Sequence, residues 1–423
     1  MKNKFIHFTT LLFTLLFIGC GSSKHGESTP PPNTTNFKNT SYVYQTNSPY
    51  KNILLDCIDP EDSSKSCTLN TLPFLAQESS TITKEMIMKR LVVSDAWMGE
   101  RFSQLLDTYN GKDIKKLFGA ITAVVIHKDI IPSFYTELTG AIYLDPRNLW
   151  LTSDEASTIT QNEDYRKNFG STLQFITGSF MSKNGNSISA YQDLNSVATR
   201  TLDELIMPFA ALLYHELAHA NDFVPPNTIK NIDKSQSVYQ AVHALHDSRI
   251  SKQLYNHYPL TSTQLISLGK VLYSNHVATE EEKELTGYSV GLLFNEDRAS
   301  DIYGYSNLYE DTATLFADTM MKIHYGVNNN VVFLNADKYI NENKIKLEWG
   351  IRNAIGKANV KPRALFVTNR LNPIPGGWES RFKRSVGTSA YLSIRKMNKQ
   401  VSISLIQQKD IKGFKYFSPY NQK

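Results

Sequence analysis

The feature that most constrains the fold of this chain is an apolar segment between Thr201 and Ala220 that also carries ionisable residues. Pro208 suits a first helical turn, and Pro225-Pro226 prevents a helix from continuing. The sequence therefore predicts a helix from about residue 208 to residue 221. Its apolar residues recur at the three- and four-residue steps of a helix with a buried face: Phe209, Leu212, Leu213, Leu217 and Ala220.

This helix would bring two histidines and a glutamate together. His215-Glu216-Leu217-Ala218-His219 has the pattern H-E-x-x-H, which places two imidazoles one turn apart on one helix face. Imidazoles at that spacing can bind one Zn²⁺ at about 2.0 to 2.1 Å, and the glutamate can reach a water on the metal. The pattern predicts that His215 and His219 bind zinc and that Glu216 is the general base. The alternative is a polar, exposed helix face without a metal.

The segment from His215 to Asp222 resembles the active-site helix of zincin metallopeptidases, over a few per cent of the chain. The resemblance implies a zincin-like fold, peptide hydrolysis and a role for Asp222 as an outer partner of a histidine ligand. Metzincins have a third histidine ligand where this chain has Pro225. This disfavours metzincins. In gluzincins, another zincin group, a glutamate on a downstream helix completes the site.

Glu310 is the predicted third ligand. Apolar residues at helical spacing predict a helix from about Leu308 to Tyr325, and its beginning, Leu308 to Ala317, resembles the gluzincin ligand helix. Gluzincins often have an acidic residue four positions after the glutamate ligand, where this chain has Thr314, so the usual acidic support for the ligand is absent from that position. Two alternatives remain at this point. Glu310 could cap the helix together with Asn307, or Asp301, in a segment that resembles the aspzincin pattern, could be the ligand.

Tyr303 is the candidate for a second catalytic role. Tyrosines occur at positions 303, 305 and 309, just before the predicted ligand helix. In some gluzincins a tyrosine or histidine in this region donates a hydrogen bond to the developing oxyanion. The resemblance therefore implies that role for Tyr303, although a tyrosine here could equally be a core or surface residue.

The remaining patterns indicate an α+β fold with a small N-terminal sheet, the H-E-x-x-H helix and a largely helical C-terminal part. Two β-branched runs predict strands of one sheet, Ile121 to Ile126 and Gly140 to Leu144. We expect Gly140 to Asp145 to be the edge strand along which a peptide substrate binds. Helices are predicted in four further regions: one or two within Thr83 to Tyr109, one opened by Thr152 and Glu155, most of 235–285, and Leu308 to Tyr325.

The N-terminus has the features of an export signal. Lys2 and Lys4 precede a short apolar run, so residues 1–19 read as a signal peptide. Phe17-Ile18-Gly19-Cys20 resembles the lipobox of bacterial lipoproteins, which implies a lipid on Cys20 and attachment to the cell envelope. Residue 21 is not aspartate, which favours the outer membrane in that family. Residues 20–45 would form a flexible linker, rich in Ser, Thr, Asn and Pro.

The other two cysteines, Cys57 and Cys67, lie ten residues apart. An exported protein folds in an oxidising compartment, so we expect them to form a disulfide. Their spacing is not that of a Cys-x-x-Cys redox motif, and the pair is therefore interpreted as structural.

Charge gives no indication of nucleic-acid binding. The chain has 45 basic and 40 acidic residues, and loss of Lys2 and Lys4 with the signal peptide leaves a net charge of +3. Basic residues concentrate in residues 371–423, which we interpret as a C-terminal extension. Within it, Tyr391 to Arg395 and Val401 to Leu405 could pair as a hairpin.

The sequence thus predicts a catalytic domain over residues 46–370 that hydrolyses peptide bonds with water activated by Zn²⁺. Its partners would be a peptide or protein substrate and, through the lipid on Cys20, a membrane. The alternative is a lipid-anchored binding or structural protein of the cell envelope that has a zincin-like fold but no turnover.

Overall fold

The structure is a computed structural model that describes residues 37–60, 62–161, 164–166, 168–335 and 346–392. These residues combine helices with two five-stranded sheets, which confirms the prediction of a mixed fold. The signal peptide, Cys20 and the linker as far as residue 36 lie outside the described residues.

The strands of the described residues are, in chain order, β1 (Tyr42–Val43), β2 (Leu91–Val93), β3 (Val124–Ile126), β4 (Phe134–Thr136), β5 (Ala141–Leu144), β6 (Phe175–Lys183), β7 (Asn186–Ser187), β8 (Asn328–Asn335), β9 (Leu347–Arg352) and β10 (Ala390–Tyr391). The α-helices are α1 (Phe37–Thr40), α2 (Leu54–Cys57), α3 (Leu75–Glu78), α4 (Lys84–Met88), α5 (Ala96–Thr108), α6 (Ile114–Leu117), α7 (Ser153–Ser157), α8 (Leu202–Phe223), α9 (Val238–Ala244), α10 (Ile250–His257), α11 (Thr263–Tyr273), α12 (Glu280–Lys283), α13 (Gly287–Glu296), α14 (Leu308–Tyr325), α15 (Lys361–Leu371) and α16 (Glu379–Ser385).

The first sheet has the order β1-β2-β3-β5-β4. Strands β2, β3 and β5 are parallel, while β1 and β4 pair antiparallel at the two edges. Both predicted β-branched runs form strands of this sheet, as expected. The runs are apolar throughout because both faces are covered: Val124 and Ile142 contribute to the main core, whereas Val125 and Tyr143 pack in a smaller cluster on the other face.

The prediction that Gly140 to Asp145 forms the edge strand is wrong. Strand β5 lies between β3 and β4 and is hydrogen-bonded on both sides. Residues just before it fold back antiparallel, so that Phe134–Thr136 occupies the edge. The apolar run could not reveal this, because the pairing depends on the turn at Leu138 to Gly140 rather than on the strand itself.

The segment from Thr83 to Tyr109 contains two helices, but a strand separates them. Helices α4 and α5 match the predicted helical spacing, whereas Leu91–Val93 forms β2 between β1 and β3. Three consecutive apolar residues fit a helix or a strand equally well. Residues 91–93 form a strand because pairing with β3 satisfies backbone groups that would otherwise be buried without partners.

Helix α8 is longer than predicted. It begins at Leu202 rather than near Pro208, because Thr201 and Glu204 form a capping box at its start. The Thr201 backbone N–H donates to the Glu204 carboxylate at 2.7 Å. Pro208 therefore lies inside the helix, where its missing N–H costs one backbone hydrogen bond. Helix α8 ends at Phe223, just before Pro225-Pro226, as expected.

A second sheet makes the prediction of a largely helical C-terminal part only partly correct. Helices α9 to α12 and α14 lie where helical spacing indicated them, and α13 was not predicted. Strand β8 then forms the centre of an antiparallel sheet of order β10-β9-β8-β6-β7. Strand β8 begins with three asparagines, and asparagine is uncommon in strands, so the sequence did not predict this strand. The Asn330 side chain is accommodated because it donates to the Phe180 carbonyl and the Ser182 hydroxyl, each at 2.9 Å.

The ends of the described chain pack against the body. Phe37 and Val43 are buried near the first sheet, and Trp378 and Phe382 contribute to the main core, so packed residues extend on both sides of the range 46–370. Tyr391 pairs with β9. The rest of the proposed C-terminal hairpin lies outside the described residues.

The predicted disulfide between Cys57 and Cys67 is present. It links the end of α2 to the segment before α3, beside the smaller core cluster of the first sheet. In the part of the chain that the structure describes, none of the helices has the length and apolar content needed to cross a membrane.

Candidate metal centre

The two histidines of the H-E-x-x-H motif lie on one face of α8. Their rings are 4.8 Å apart between centroids, and His215 Nε2 is 3.2 Å from His219 Nε2. The spacing of four residues explains this, because one helical turn brings residues i and i+4 together. His215 is buried and His219 is nearly so, because α8 is covered by α14 and by the first sheet.

Glu310, in the first turn of α14, faces both histidines. Its Oε2 is 3.0 Å from His215 Nε2 and 3.3 Å from His219 Nε2. In the described part of the chain these three residues are the group of His, Cys, Asp and Glu that could hold a metal ion. Tetrahedral zinc with bonds of about 2.0 to 2.1 Å separates its ligand atoms by about 3.3 Å. The observed spacings are close to that value, so the residues fit the ion.

The side chain of Glu310 does not act as a capping-box partner. Asn307 caps α14, and its Oδ1 accepts hydrogen bonds from the N–H groups of Tyr309 and Glu310, both at 2.9 Å. The Glu310 carboxylate instead extends to the histidines. Thr314 donates its hydroxyl to the Glu310 carbonyl oxygen at 2.7 Å, so it supports the backbone of this turn rather than the carboxylate.

Charges and burial in this cluster shift three pKa values. Burial alone would raise the pKa of Glu310, but the two imidazoles, His219 foremost, lower it well below its usual range. Burial alone would also lower the pKa of His219, but Glu310, with help from Glu216 and Asp222, raises it to about 9. For His215, burial outweighs Glu310 and lowers the pKa. A negative carboxylate thus faces one protonated and one neutral imidazole at neutral pH.

Glu216 lies in the same turn of α8 and is buried. Within the described residues its Oε2 has no hydrogen-bond partner. Burial raises its pKa to about 8, opposed by the positive charges of His219 and Arg166. A buried carboxyl oxygen without a partner is costly to the fold, and such groups are commoner at functional sites than elsewhere.

Tyr303 also borders the cluster. It lies in a short 3₁₀ turn, Ile302–Tyr305, just before α14. Its ring stacks on His215 with 6.3 Å between centroids, and the ring of Tyr273 from α11 meets it edge-on at 4.9 Å. Burial raises the pKa of Tyr303 well above its ordinary value, and the charge of Glu310 adds to this, so the hydroxyl keeps its proton.

Asp301, the alternative ligand, is held elsewhere. It is buried and caps the 3₁₀ turn, where its Oδ1 accepts from the N–H of Tyr303 at 2.9 Å. Its Oδ2 accepts from the Asn329 side chain at 3.0 Å, on the side of the second sheet. The structure therefore does not bring Asp301 into the group formed by the two histidines and Glu310.

Asp222 contacts the helix that follows the motif. Its Oδ1 accepts from the backbone N–H of Ser251, in the first turn of α10, at 2.7 Å. Its negative charge is one of the causes that raise the pKa of His219. It therefore acts on the histidine electrostatically and also ties the end of α8 to α10.

Arg166 and Tyr165 border the site but were not identified from the sequence. Arg166 is buried and pairs with Asp164, with Nε 2.9 Å from Oδ1. Its charge acts on both Glu216 and Tyr303. Tyr165 is 52% exposed. Partial burial raises its pKa, the charges of Asp164 and Glu310 add to this, and the charge of Arg166 opposes it. These residues lie in an irregular segment with no recognisable spacing, so no sequence signal marks them.

Comparisons with models of protein families, with curated proteins and with solved structures found no match for this chain.

Proposed function

We propose that this chain is a zinc-dependent metallopeptidase with a zincin-like, gluzincin-type site in which His215, His219 and Glu310 hold the metal. One observation carries the proposal. Three ligand atoms from two helices lie 3.0, 3.2 and 3.3 Å from one another, close to the separation that tetrahedral zinc requires. Two histidines and one carboxylate leave a fourth position open, as in catalytic rather than structural zinc sites.

Zinc at this site would polarise a carbonyl group and lower the pKa of water toward about 7. Glu216 is the proposed general base. It lies one residue from a ligand on the same helix. In the metal-free chain burial raises its pKa to about 8, so this carboxylate accepts a proton more readily than an exposed glutamate does. Its Oε2 is not engaged by another described residue, so it can hydrogen-bond to water.

Tyr303 is the proposed donor to the developing oxyanion. Its ring stacks on His215, which places the side chain beside the site. Its raised pKa keeps the hydroxyl protonated, and a protonated hydroxyl can donate a hydrogen bond. Donors fixed before the reaction stabilise an oxyanion without reorganisation.

The edge of the first sheet offers a place for an extended peptide. Strand β4 pairs with β5 on one side, contacts α8, and is the last strand of the sheet in the described residues. A peptide added to an edge strand gains backbone hydrogen bonds whatever its side chains are. We therefore propose that the substrate is a peptide or protein that binds along Phe134–Thr136.

We propose further that the mature protein is anchored in the bacterial cell envelope, in the outer membrane, through lipid on Cys20. The sequence Phe17 to Cys20 supports this proposal. The disulfide between Cys57 and Cys67 supports the export step of this proposal, because disulfides persist in oxidising compartments such as the periplasm.

The decisive experiment compares the parent with Glu216→Gln, and uses Glu296→Gln, at an exposed position on α13, as the control. Each protein is loaded with zinc, the bound metal is counted by elemental analysis, and cleavage of a mixed peptide library is followed by mass spectrometry. We expect Glu216→Gln to keep zinc but to lose at least about 10²-fold in rate. Equal cleavage by Glu216→Gln and the parent would refute the role of Glu216. A parent that binds zinc but cleaves nothing would favour the binding-protein alternative.

A further inference from the structure

Glu310 is flanked by two residues that are each held by a buried arginine. Tyr309 precedes Glu310 and accepts a hydrogen bond from Arg249, and Asp311 follows it and pairs with Arg363. The arginines belong to different elements, since Arg249 directly precedes α10 and Arg363 lies in α15.

Arg249 connects three parts of the molecule and is only 3% exposed. Its Nη1 donates to the Tyr309 hydroxyl at 3.1 Å, and its Nη2 lies 2.5 Å from the Glu137 carboxylate, next to the edge strand β4. Its guanidinium carbon is 3.8 Å above the centre of the Phe223 ring, at the end of α8. The planar guanidinium thus joins the histidine helix, the edge strand and the first turn of α14.

Arg363 holds the other side of Glu310 and is fully buried. Its guanidinium pairs with both carboxylate oxygens of Asp311, with Nη1 3.0 Å from Oδ1. Its Nε and the second N–H of Nη1 donate to the carbonyl oxygens of Tyr258 and Arg298, at 2.8 and 2.9 Å. A fork with every arm bound cannot rotate, so Asp311 is fixed in position and in direction.

The position of Glu310 explains why such support matters. It lies in the first turn of α14, where the Asn307 side chain rather than helix backbone accepts from the N–H groups of Tyr309 and Glu310. Its carboxylate must meet two histidines on a different helix to within a few tenths of an ångström. Thr314 binds the backbone of this turn and leaves the carboxylate unsupported.

We propose that Arg249 and Arg363 are positioning residues that clamp the first turn of α14, through Tyr309 and Asp311, so that Glu310 meets His215 and His219. This inference rests on the proposed metal site. It assigns the arginines no contact with substrate or metal, and it differs from a purely structural role. A structural role predicts a loss of stability on mutation, whereas the clamp predicts a loss of zinc affinity as well.

The test uses small changes that cut one arm of the clamp at a time. Tyr309→Phe removes the hydroxyl that Arg249 holds but keeps the ring, and Asp311→Asn weakens the pair with Arg363 without changing size. Tyr143→Phe is the matched control, because it cuts a buried tyrosine hydroxyl bond, to the Ile58 carbonyl at 2.6 Å, in the first sheet. Zinc affinity is measured by competition with a chromophoric chelator, and stability by thermal unfolding.

We expect Tyr309→Phe and Asp311→Asn each to weaken zinc binding by about 10-fold, the lower end of the effect seen when a group that orients a metal ligand is lost, because they act on Glu310 through its neighbours in the turn. Tyr143→Phe should lower the melting temperature without changing zinc affinity. If Tyr309→Phe and Asp311→Asn behave like Tyr143→Phe, the arginines are structural and the clamp is refuted.

A second measurement does not depend on zinc. Crystal structures of metal-free Tyr309→Phe and Asp311→Asn should show Glu310 Oε2 displaced from its distance of 3.0 Å to His215 Nε2. An unchanged distance in both variants would overturn the clamp even if the parent binds no zinc. A parent that binds no zinc would instead refute the proposed function, so the two failures are distinguishable.

Discussion

Glu310 Oε2 lies 3.0 Å from His215 Nε2 although 95 residues separate the two along the chain. The contact exists because α8 and α14 pack directly against each other, with the first turn of α14 beside the middle of α8. Buried residues along both helices, such as Leu213 and Phe316, belong to the same core. The packing of an ordinary core thus determines which carboxylate meets the histidines.

This relationship predicts different effects for two acidic residues. Glu310→Ala removes one of the three proposed ligand atoms. Loss of a group that only supports a ligand weakens metal binding by about 10- to 100-fold, so we expect zinc affinity to fall further than that in Glu310→Ala. Asp301→Ala should leave the ligand set complete, because Asp301 is bound to Tyr303 and Asn329 instead. Zinc is counted by elemental analysis after brief exposure to a chelator. The reverse outcome, with zinc lost only from Asp301→Ala, would assign the third ligand to the aspartate.

Much of the site could be predicted from sequence because it depends on residues that are close together in the chain. The spacing of His215 and His219 fixes their relative position once a helix forms, and the apolar spacing around them predicts that helix. The limits of α14 and its cap at Asn307 also follow from neighbouring residues. Glu310 itself required a resemblance, because no spacing in the sequence relates α14 to α8.

The features that sequence reasoning missed depend on long-range pairing. Strand β8 has asparagine at its start, and its pairing with β6 explains how the Asn330 amide N–H groups find acceptors at Phe180 and Ser182. Arg166, in an irregular segment, lowers the pKa of Glu216 through its charge. The residues Arg249 and Tyr309, which are hydrogen-bonded, lie 60 residues apart in the chain. Such contacts depend on the folded arrangement, which a single sequence does not encode in any short pattern.

The packing behind Tyr303 gives a stability prediction. A Cβ at Gly269, in α11, would lie 2.1 Å from the carbonyl oxygen of Tyr305 in the turn that carries Tyr303. Because backbone must move to relieve this clash, we expect Gly269→Ala to lower the free energy of unfolding by about 1 to 3 kcal/mol. Chemical denaturation of Gly269→Ala and of the parent measures this difference in the free energy of unfolding. Ser267→Ala, at an exposed position on the same helix, should stay within about 0.5 kcal/mol of the parent. An equal effect of both changes would contradict the close packing.

The proposed lipid on Cys20 gives a prediction for localisation. Cys20→Ser removes the only proposed attachment, and in the described part of the chain no helix could replace it. We expect this variant to move from the membrane fraction to the soluble fraction of cells, while the parent stays with membranes. Fractionation followed by immunoblotting measures this. Should Cys20→Ser still sediment with membranes, attachment depends on another part of the protein.

The pH dependence of zinc binding follows from His219. Its pKa is raised to about 9 in the metal-free chain, chiefly because the charge of Glu310 overcomes the effect of burial. A histidine must be neutral at the nitrogen that binds zinc, so below pH 9 the metal has to displace a proton. Affinity should therefore increase with pH, by about tenfold per pH unit for each displaced proton, and level off above about pH 9.

Glu310→Gln provides the control for this prediction. Replacing the carboxylate by an amide removes the largest cause that raises the pKa of His219, so the plateau should begin at lower pH, although binding is weaker throughout. Chelator competition over a range of pH measures the affinity, and calorimetry in buffers of different ionisation enthalpy counts the protons released. If the parent shows a flat affinity between neutral pH and pH 9 and releases no proton, His219 is not held protonated by Glu310, and the electrostatic description of the site is wrong.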